Sequence, residues 1–432
     1  MEYTLFENRN IDEKYYYFRH KSGLEVYVFP KELGTGYAAF ATKFGSIDSD
    51  FLSDGKRIKL PDGIAHFLEH KMFENEDGTD TFELFAKTGA SANAYTSSDK
   101  TVYLFSAADN VMPSLEILLD FVTHPYFTKK TVDKEQGIIG QEIRMYDDNP
   151  AWQLYFGMLT GLYVNNPVRI DTAGTVETIA EINPELLFEA YNAFYNLDNM
   201  ALCVCGKIKP EEVEAVCDKC LKYVPAKNIE RIYPDEPAHV NEQFITKHLA
   251  VSMPMFSVGI KDNDCPLSGK ALLEKRAQYS IILDLIFDKS SSFYNRLYEE
   301  GLIDSSFSYG YEGHETFGHC EISGCSENPH KVYEEIKKEI ENYKTNGFDK
   351  DAFDRVKRAN YAHVLRLFNS TEEIANELIG CVFENTNILD YPNVMANVSF
   401  EDVCKRFESG FARDGFVLSC VMPVEEKKEG KA

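Results

Sequence analysis

Hydrophobic periodicity divides the chain into alternating helical and extended stretches. Residues 211–224, EEVEAVCDKCLKYV, place apolar side chains at helical spacing and predict an amphipathic helix. Just upstream, ALCVCG (201–206) reads as a strand. A long helical region opens with FTKKTVDKEQGIIGQEIRMYDDNP (127–150) and closes with a helix and a strand in EAYNAFYNLDNMALCVCGKI (189–208). The same order returns in FDKDAFDRVKRANYAHVLRLFNS (348–370) and KRFESGFARDGFVLSCVMP (405–423). The offset of about 220 residues predicts duplication of one α+β domain. YAAFATKFGSID (37–48) and FSVGIKDN (256–263) supply a matching strand near the start of each copy.

Between the copies, KYVPAKNIERIYPDEPAHVNE (222–242) combines three prolines, many charges and little periodicity, the composition of a linker. The expected organisation is a first domain over 1–221, a linker over 222–242, a second domain over 243–424 and a charged tail, EEKKEGKA, over 425–432.

The segment PDGIAHFLEHKMFE (61–74) has a different pattern. Pro, Asp and Gly are turn and helix-start signals. Ile64, Ala65, Phe67, Leu68, Met72 and Phe73 then make the helix apolar nearly all round, as a buried helix is. His66, Glu69 and His70 project from one face of it. Burying two imidazoles and a carboxylate together requires compensation, which a bound cation supplies. Zinc accepts His nitrogens and a carboxylate oxygen and leaves one position for water. The competing reading is a pair of hydrogen-bonded core histidines with Glu69 matched to a lysine or arginine. A lone histidine would suit that reading; H-x-x-E-H does not. This spacing is the inverted zinc-peptidase motif, in which the histidines ligate and the glutamate is general base to a metal-activated water.

A third ligand is then required. EQGIIGQEIRMY (135–146) puts Glu135 and Glu142 on one helical face, two turns apart. Their backbones are separated by roughly 10 Å, so one ion takes one of them and the other orients a ligand or tunes its charge. Periodicity leaves the choice between them open.

Composition narrows the setting. A length of 432 residues suits two domains of about 200 residues each. No run approaches the roughly 20 apolar residues of a membrane span. The opening MEYTLFENRNIDEKYYYFRH lacks the basic and apolar regions of a secretory signal. Ten cysteines fit a reducing compartment, so cytoplasmic residence is expected. A formal charge of −25 argues against nucleic acid as a partner and chiefly favours solubility.

HFLEH (66–70), NAYTSSDKTVY (93–103) and E-x6-E (135–142) together resemble the pitrilysin/insulysin-type zinc metallopeptidases of the insulinase family, which include the mitochondrial processing peptidases. The resemblance covers nearly the whole chain, in a half-length form. It implies an α+β fold of two tandem homologous α/β-sandwich domains, each a mainly antiparallel sheet covered by helices. It also implies one Zn2+ per chain on His66, His70 and Glu142, with Glu69 as general base and Glu135 as the acidic residue behind the ligands that completes the catalytic set. GASANAYTSSD (89–99) resembles the family's edge strand, which binds extended peptide by strand addition. On that likeness Asn93 and the backbones of Ala94 and Tyr95 face the substrate.

The second copy lacks the ligands. The counterpart of HFLEH falls in AQYSIILDLIF (277–287), and those of Glu135 and Glu142 are Val356 and His363, as in the family's non-catalytic domain. There is one departure. Active members usually carry an Arg and a Tyr seven residues apart in the second half, which bind substrate and stabilise the oxyanion. Here SSFYNRLYEEGLIDSSFSYGY (291–311) has Tyr298 at the Arg position and Asp304 or Ser305 at the Tyr position, with Arg296, Tyr309 and Tyr311 nearby. The expectation is a zinc endopeptidase for peptides or unfolded segments. It would act as a homodimer or as the zinc-bearing subunit beside a sister that supplies the Arg/Tyr pair, with no membrane partner. The alternative is a non-catalytic assembly subunit that keeps the peptidase fold.

Two other groupings imitate metal sites. Cys203, Cys205, Cys217 and Cys220 lie on a strand and an amphipathic helix, where core packing is expected. EGHETFGHCEISG (312–324), with His314, His319 and Cys320, is expected to form a pair of strands.

Overall fold

The computed structural model describes residues 2–412 and 414–424; the expected charged tail over 425–432 lies outside them. The strands of the N-terminal half are β1 (Thr4–Asn8), β2 (Glu13–Arg19), β3 (Glu25–Pro30), β4 (Gly36–Thr42), β5 (Asp50–Ser53), β6 (Lys56–Lys59), β7 (Ser91–Thr96), β8 (Thr101–Ala107), β9 (Met200–Gly206) and β10 (Ile229–Arg231). Those of the C-terminal half are β11 (Phe244–Leu249), β12 (Met255–Lys261), β13 (Ser308–Gly313), β14 (Gly318–Cys325) and β15 (Phe416–Pro423).

Side-chain character sets the place of each strand in its sheet. GYAAFAT of β4 and MALCVCG of β9 are buried at every position, so both must lie centrally with helices on both faces. The half-exposed β1 and β7 occupy the edges. The order is β1-β2-β3-β9-β4-β8-β7, antiparallel except for the β3–β9 pair. The second large sheet runs β11-β15-β12-β14-β13, antiparallel except for β11–β15. It reproduces the run β3-β9-β4-β8-β7 of the first sheet in order and in the position of the parallel pair. The chain is therefore α+β and duplicated, each copy a mainly antiparallel sheet covered by helices.

Residue contacts divide the chain into two compact units. One comprises Met1–Ile143, Asp171–Tyr233 and Ala362–Asn393; the other comprises Arg144–Ile170, Pro234–Tyr361 and Val394–Ala432. Each unit takes one covering helix from the opposite half of the sequence. In the first unit, helix Thr371–Phe383 lies on β4 and β9. Its Ile374, Ala375, Leu378 and Ile379 pack with Tyr37, Ala39, Ala41, Cys203 and Cys205 of the sheet. Side chains alternate along β4, and helix Val111–Thr123 packs on β4 and β8.

In the second unit, helix Pro150–Leu162 lies on β11, β12 and β15. Gly157 and Gly161, one turn apart, let it approach the sheet closely. A Cβ at Gly161 would stand 2.5 Å from Ile245 Cδ1 and 2.6 Å from Val417 Cγ1.

Charge accounts for the order of the proline-rich stretch 222–242. Ile229–Arg231 form β10 beside β5, and Arg231 pairs with the buried Asp48 at 3.0 Å. Further on, Glu236 accepts backbone N–H bonds from Val164, Asn165 and Asn166. His314, His319 and Cys320 lie on or beside the β13–β14 hairpin. Cys203, Cys205 and Cys217 are buried, and all ten cysteines are free thiols. Among the described residues, no helix is long and apolar enough to cross a membrane.

Gly161→Val forces added carbons into Ile245 and Val417, and it is expected to destabilise the chain by about 1–3 kcal/mol. Denaturant unfolding checks this. A midpoint and slope equal to those of the unmodified protein would show that the close approach is dispensable.

Candidate metal centre

The helix that carries the H-x-x-E-H residues runs Ile64–Lys71. It starts at Gly63, whose left-handed φ of 89° needs no side chain. A Cβ at Gly63 would meet Ala173 O at 2.4 Å, and one at Gly174 would meet Asp62 O at 2.5 Å. Two facing glycines thus seat the start of the helix against the turn at 171–174. Ile64, Ala65, Phe67 and Leu68 are buried, and the helix packs on β7, β8 and helix Pro184–Phe194. His66, Glu69 and His70 share the remaining face, with the two imidazole centroids 4.6 Å apart.

Helix Lys129–Asp147 faces it. Val132, Ile139, Gly140 and Ile143 are buried there, and Gln136 donates to the carbonyls of Ile179 and Ile182. That packing directs Glu135 and Glu142 at the histidines. His66 Nε2 lies 3.8 Å from Glu142 Oε1, and His70 Nε2 lies 3.5 Å from Glu142 Oε2. Glu135 Oε1 is on the other side of His70, 3.2 Å from Nδ1. With Nδ1–H donating to Glu135, the lone pair of His70 Nε2 points toward Glu142.

This arrangement fits a zinc ion. One donor atom each from His66, His70 and Glu142 gather within 4.8 Å of one another. Tetrahedral zinc with bonds of about 2.0–2.1 Å holds neighbouring ligand atoms about 3.3 Å apart, close to the two nitrogen–oxygen separations. Those separations are too long for good hydrogen bonds. His66 Nδ1 is buried without a hydrogen-bond partner, and Nε2 is the ring nitrogen that faces Glu142. The side chains of His66, His70 and Glu142 are 13, 27 and 21% exposed, so the point between them is largely desolvated yet open to solvent.

Local electrostatics separates the roles of these groups. Burial, aided by the neighbouring His70, holds His66 below its usual range and hence neutral. Burial opposes charge on His70 too, but the Glu135 hydrogen bond and three nearby carboxylates outweigh it and raise that ring. Glu135 stays ionised because the His70 hydrogen bond, with help from Lys71 and Lys134, overcomes its own desolvation. Burial raises Glu69, offset in part by a hydrogen bond from Thr96 Oγ1 to Glu69 Oε2 at 2.6 Å.

Sequence reasoning did not single out Thr96, although it lies inside the NAYTSSD motif. It also missed Lys71, fully buried and paired with Glu74, which in turn meets Lys134 at 3.6 Å. The signal for Lys71 was a lone cation in an apolar run.

Among the described residues, strand β7 pairs with β8 alone, and its other edge carries no protein strand. Asn93 is exposed, and its Oδ1 accepts the N–H of Ala94. Tyr95 donates its hydroxyl to Asn376 at 3.0 Å. Backbone pairing sets Ala94 opposite Tyr103 and Tyr95 opposite Val102.

The second unit closes the equivalent helix contact with hydrogen bonds. Ser280 and Asp284, four residues apart on helix Gly269–Phe287, meet Asn360 of helix Lys350–Leu367. Ser280 donates to Asn360 Oδ1, and Asn360 Nδ2 donates to Asp284 Oδ2 at 2.6 Å. Asn360 lies between Val356 and His363 on their helical face. In the same unit Arg296 pairs with Glu335 at 2.7 Å, while Tyr309 and Tyr311 donate to Asp284 and Asp262. Tyr298 is exposed, and Asp304 Oδ1 accepts the N–H of Ser306.

Comparison with known proteins adds ancestry to this geometry. The family model described as insulinase (peptidase family M16) matches residues 55–176, and the peptidase M16 inactive domain matches residues 181–360. The uncharacterized zinc protease YmfH of Bacillus subtilis is 39% identical over 430 residues, covering 96% of this chain and 98% of its own. A crystal structure described as an M16-like peptidase from Alicyclobacillus acidocaldarius has a TM-score of 0.93 and 34% identity, over 97% of this chain and all of that one. The periplasmic protease PqqL of Escherichia coli shares the fold, with a TM-score of 0.74 and 17% identity. There, 96% of this chain covers 48% of that one.

Glu142→Gln and His70→Asn are expected to purify folded but without stoichiometric zinc. Glu135→Gln is expected to weaken zinc binding by roughly 10- to 100-fold. Chelator competition measures both effects, with circular dichroism as the folding control. Full zinc retention by Glu142→Gln would remove that residue from the donor set.

Proposed function

The chain belongs to the insulinase family, peptidase family M16, and on that premise we propose that it is a zinc-dependent endopeptidase. His66, His70 and Glu142 hold the ion, and Glu69 is the general base. The observation that carries this reading is the convergence of two imidazole nitrogens and a carboxylate oxygen beside a buried glutamate on the same helix face. The name of the B. subtilis relative, a zinc protease, supports it.

Zinc held there supplies Lewis acidity and brings the pKa of a water toward neutrality. The remaining work falls to side chains. Glu135 fixes the tautomer and orientation of His70 through Nδ1. Thr96 occupies Glu69 Oε2, so Oε1 is the oxygen that takes a proton from the attacking water. Glu69 then returns that proton to the leaving amine. Burial favours the first of these transfers, because a carboxylate raised by desolvation is a stronger base.

The substrate is a peptide or unfolded segment that lies extended along the free edge of β7, with Asn93 and the backbones of Ala94 and Tyr95 facing it. Edge addition needs a segment whose own backbone groups are unpaired, which excludes most folded chains.

The active unit is a dimer. Support comes from the C-terminal half, where Arg296, Tyr309 and Tyr311 are each committed to an internal carboxylate and no Arg/Tyr pair has the family's spacing. It also comes from PqqL, where one chain spans about twice the length matched here. A sister subunit would supply the missing pair. The same observation favours a second reading, a non-catalytic assembly subunit that keeps the fold. Ten free thiols agree with a cytoplasmic setting.

Cleavage of an unstructured peptide, by the chain alone or with a sister subunit, is expected to stop on chelation and return with zinc. Glu69→Gln is expected to keep its zinc and lose roughly 100- to 10,000-fold in turnover. Turnover undiminished in Glu69→Gln would rule out the proton-transfer role. Zinc-loaded protein inert in every pairing would leave the assembly reading.

A further inference from the structure

Thr96 stands where the substrate-binding edge meets the general base, and two oxygens lie within reach of its hydroxyl. Thr101 Oγ1, 3.4 Å away, donates to the carbonyl of Phe44 at 3.0 Å. The proton of Thr96 goes to Glu69 Oε2, which at 2.6 Å is nearer than Thr101 Oγ1 and, as an ionised carboxylate, can only accept. Strand alternation puts Thr96 and Ala94 on the face of β7 toward the H-x-x-E-H helix and sends Tyr95 to the opposite face, where it bonds Asn376. The end of β7 that bears Thr96 is clamped. Ser46 N and Ile47 N donate to Ser97 O and Ser98 O, and a Cβ at Gly45 would stand 2.3 Å from the backbone of Ser98 and Asp99. The other end, Ser91 to Asn93, is largely exposed.

We propose that Thr96 is a positioning residue that fixes the rotamer of Glu69 to the strand on which the peptide docks, so that base and scissile bond keep one register. The proposal rests on the endopeptidase reading above. It separates two functions of one strand: the exposed edge of β7 binds, and the hydroxyl at its clamped end aligns. Loss of the hydroxyl leaves Glu69 free to rotate within a buried site and leaves the free edge unchanged. The defect therefore belongs in turnover and not in peptide affinity. A hydrogen bond from a neutral hydroxyl to an ionised carboxylate is also among the stronger side-chain bonds, which suits it to hold a base in place.

Thr96→Val keeps the shape and removes the donor; Thr96→Ser keeps the donor. With zinc content matched to the unmodified protein, Thr96→Val is expected to lower kcat roughly 10- to 100-fold with KM changed less than about 2-fold, and Thr96→Ser to restore most of kcat. In the Glu69→Gln background, Thr96→Val is expected to leave residual turnover unchanged, since the partner it aligns is gone. Fluorescence anisotropy of a labelled, uncleaved peptide on Glu69→Gln should give the same Kd with and without Thr96→Val. Unaltered kcat in zinc-loaded Thr96→Val would overturn the proposal alone. So would a rise in KM or Kd that accounts for the whole defect, or a Thr96→Ser variant as impaired as Thr96→Val. Absence of any Glu69-dependent cleavage by the unmodified chain would overturn the endopeptidase reading, and this proposal with it.

Discussion

Two helices bring His66, Glu69, His70, Glu135 and Glu142 into one largely desolvated contact, and much of the first unit is arranged around that contact. Buried imidazoles and carboxylates are unfavourable unless each finds a counterpart. Glu135 has His70, and Glu69 has Thr96. His66 keeps one buried ring nitrogen unpartnered, and Glu142 stands 3.8 and 3.5 Å from the Nε2 atoms of His66 and His70. A divalent cation held between His66, His70 and Glu142 would offset the burial of these groups. The second unit shows the other resolution of the same helix contact, in which Ser280, Asn360 and Asp284 satisfy one another. Duplication thus yields two copies of one scaffold with different polar residues at the same helix contact.

The rest of the N-terminal copy holds this centre in place. Facing glycines 63 and 174 seat the start of one helix, and Gln136 ties the other to the Ile179–Ile182 loop. Lys71 and Lys134 place positive charge near Glu135. Thr96 joins the centre to the sheet, so an edge strand with a free backbone edge and a buried carboxylate become neighbours. In the proposed endopeptidase, peptide recognition and proton transfer would be adjacent through one side chain.

Much of this was legible from residue patterns. Helical spacing of His66, Glu69 and His70 within an apolar run pointed to a metal helix, and the repeat offset anticipated two sheets of the same topology. Spacing alone could not choose between Glu135 and Glu142; the geometry separates them because only Glu142 faces both Nε2 atoms. Thr96 and Lys71 depend on tertiary neighbours, so no periodicity could assign them. The exchange of helices Pro150–Leu162 and Thr371–Phe383 was equally invisible, because an apolar helix face does not state which sheet will cover it. The segment 222–242 read as a linker from its prolines and charges, yet Arg231 and Glu236 find their partners only in the folded chain.

The most direct test of the central claim is anomalous X-ray diffraction at the zinc edge from crystals of the purified chain. A single peak bonded to His66, His70 and Glu142, with Glu135 behind His70, is the predicted result. An ordered site with no peak, or zinc bound elsewhere in the chain, would contradict it.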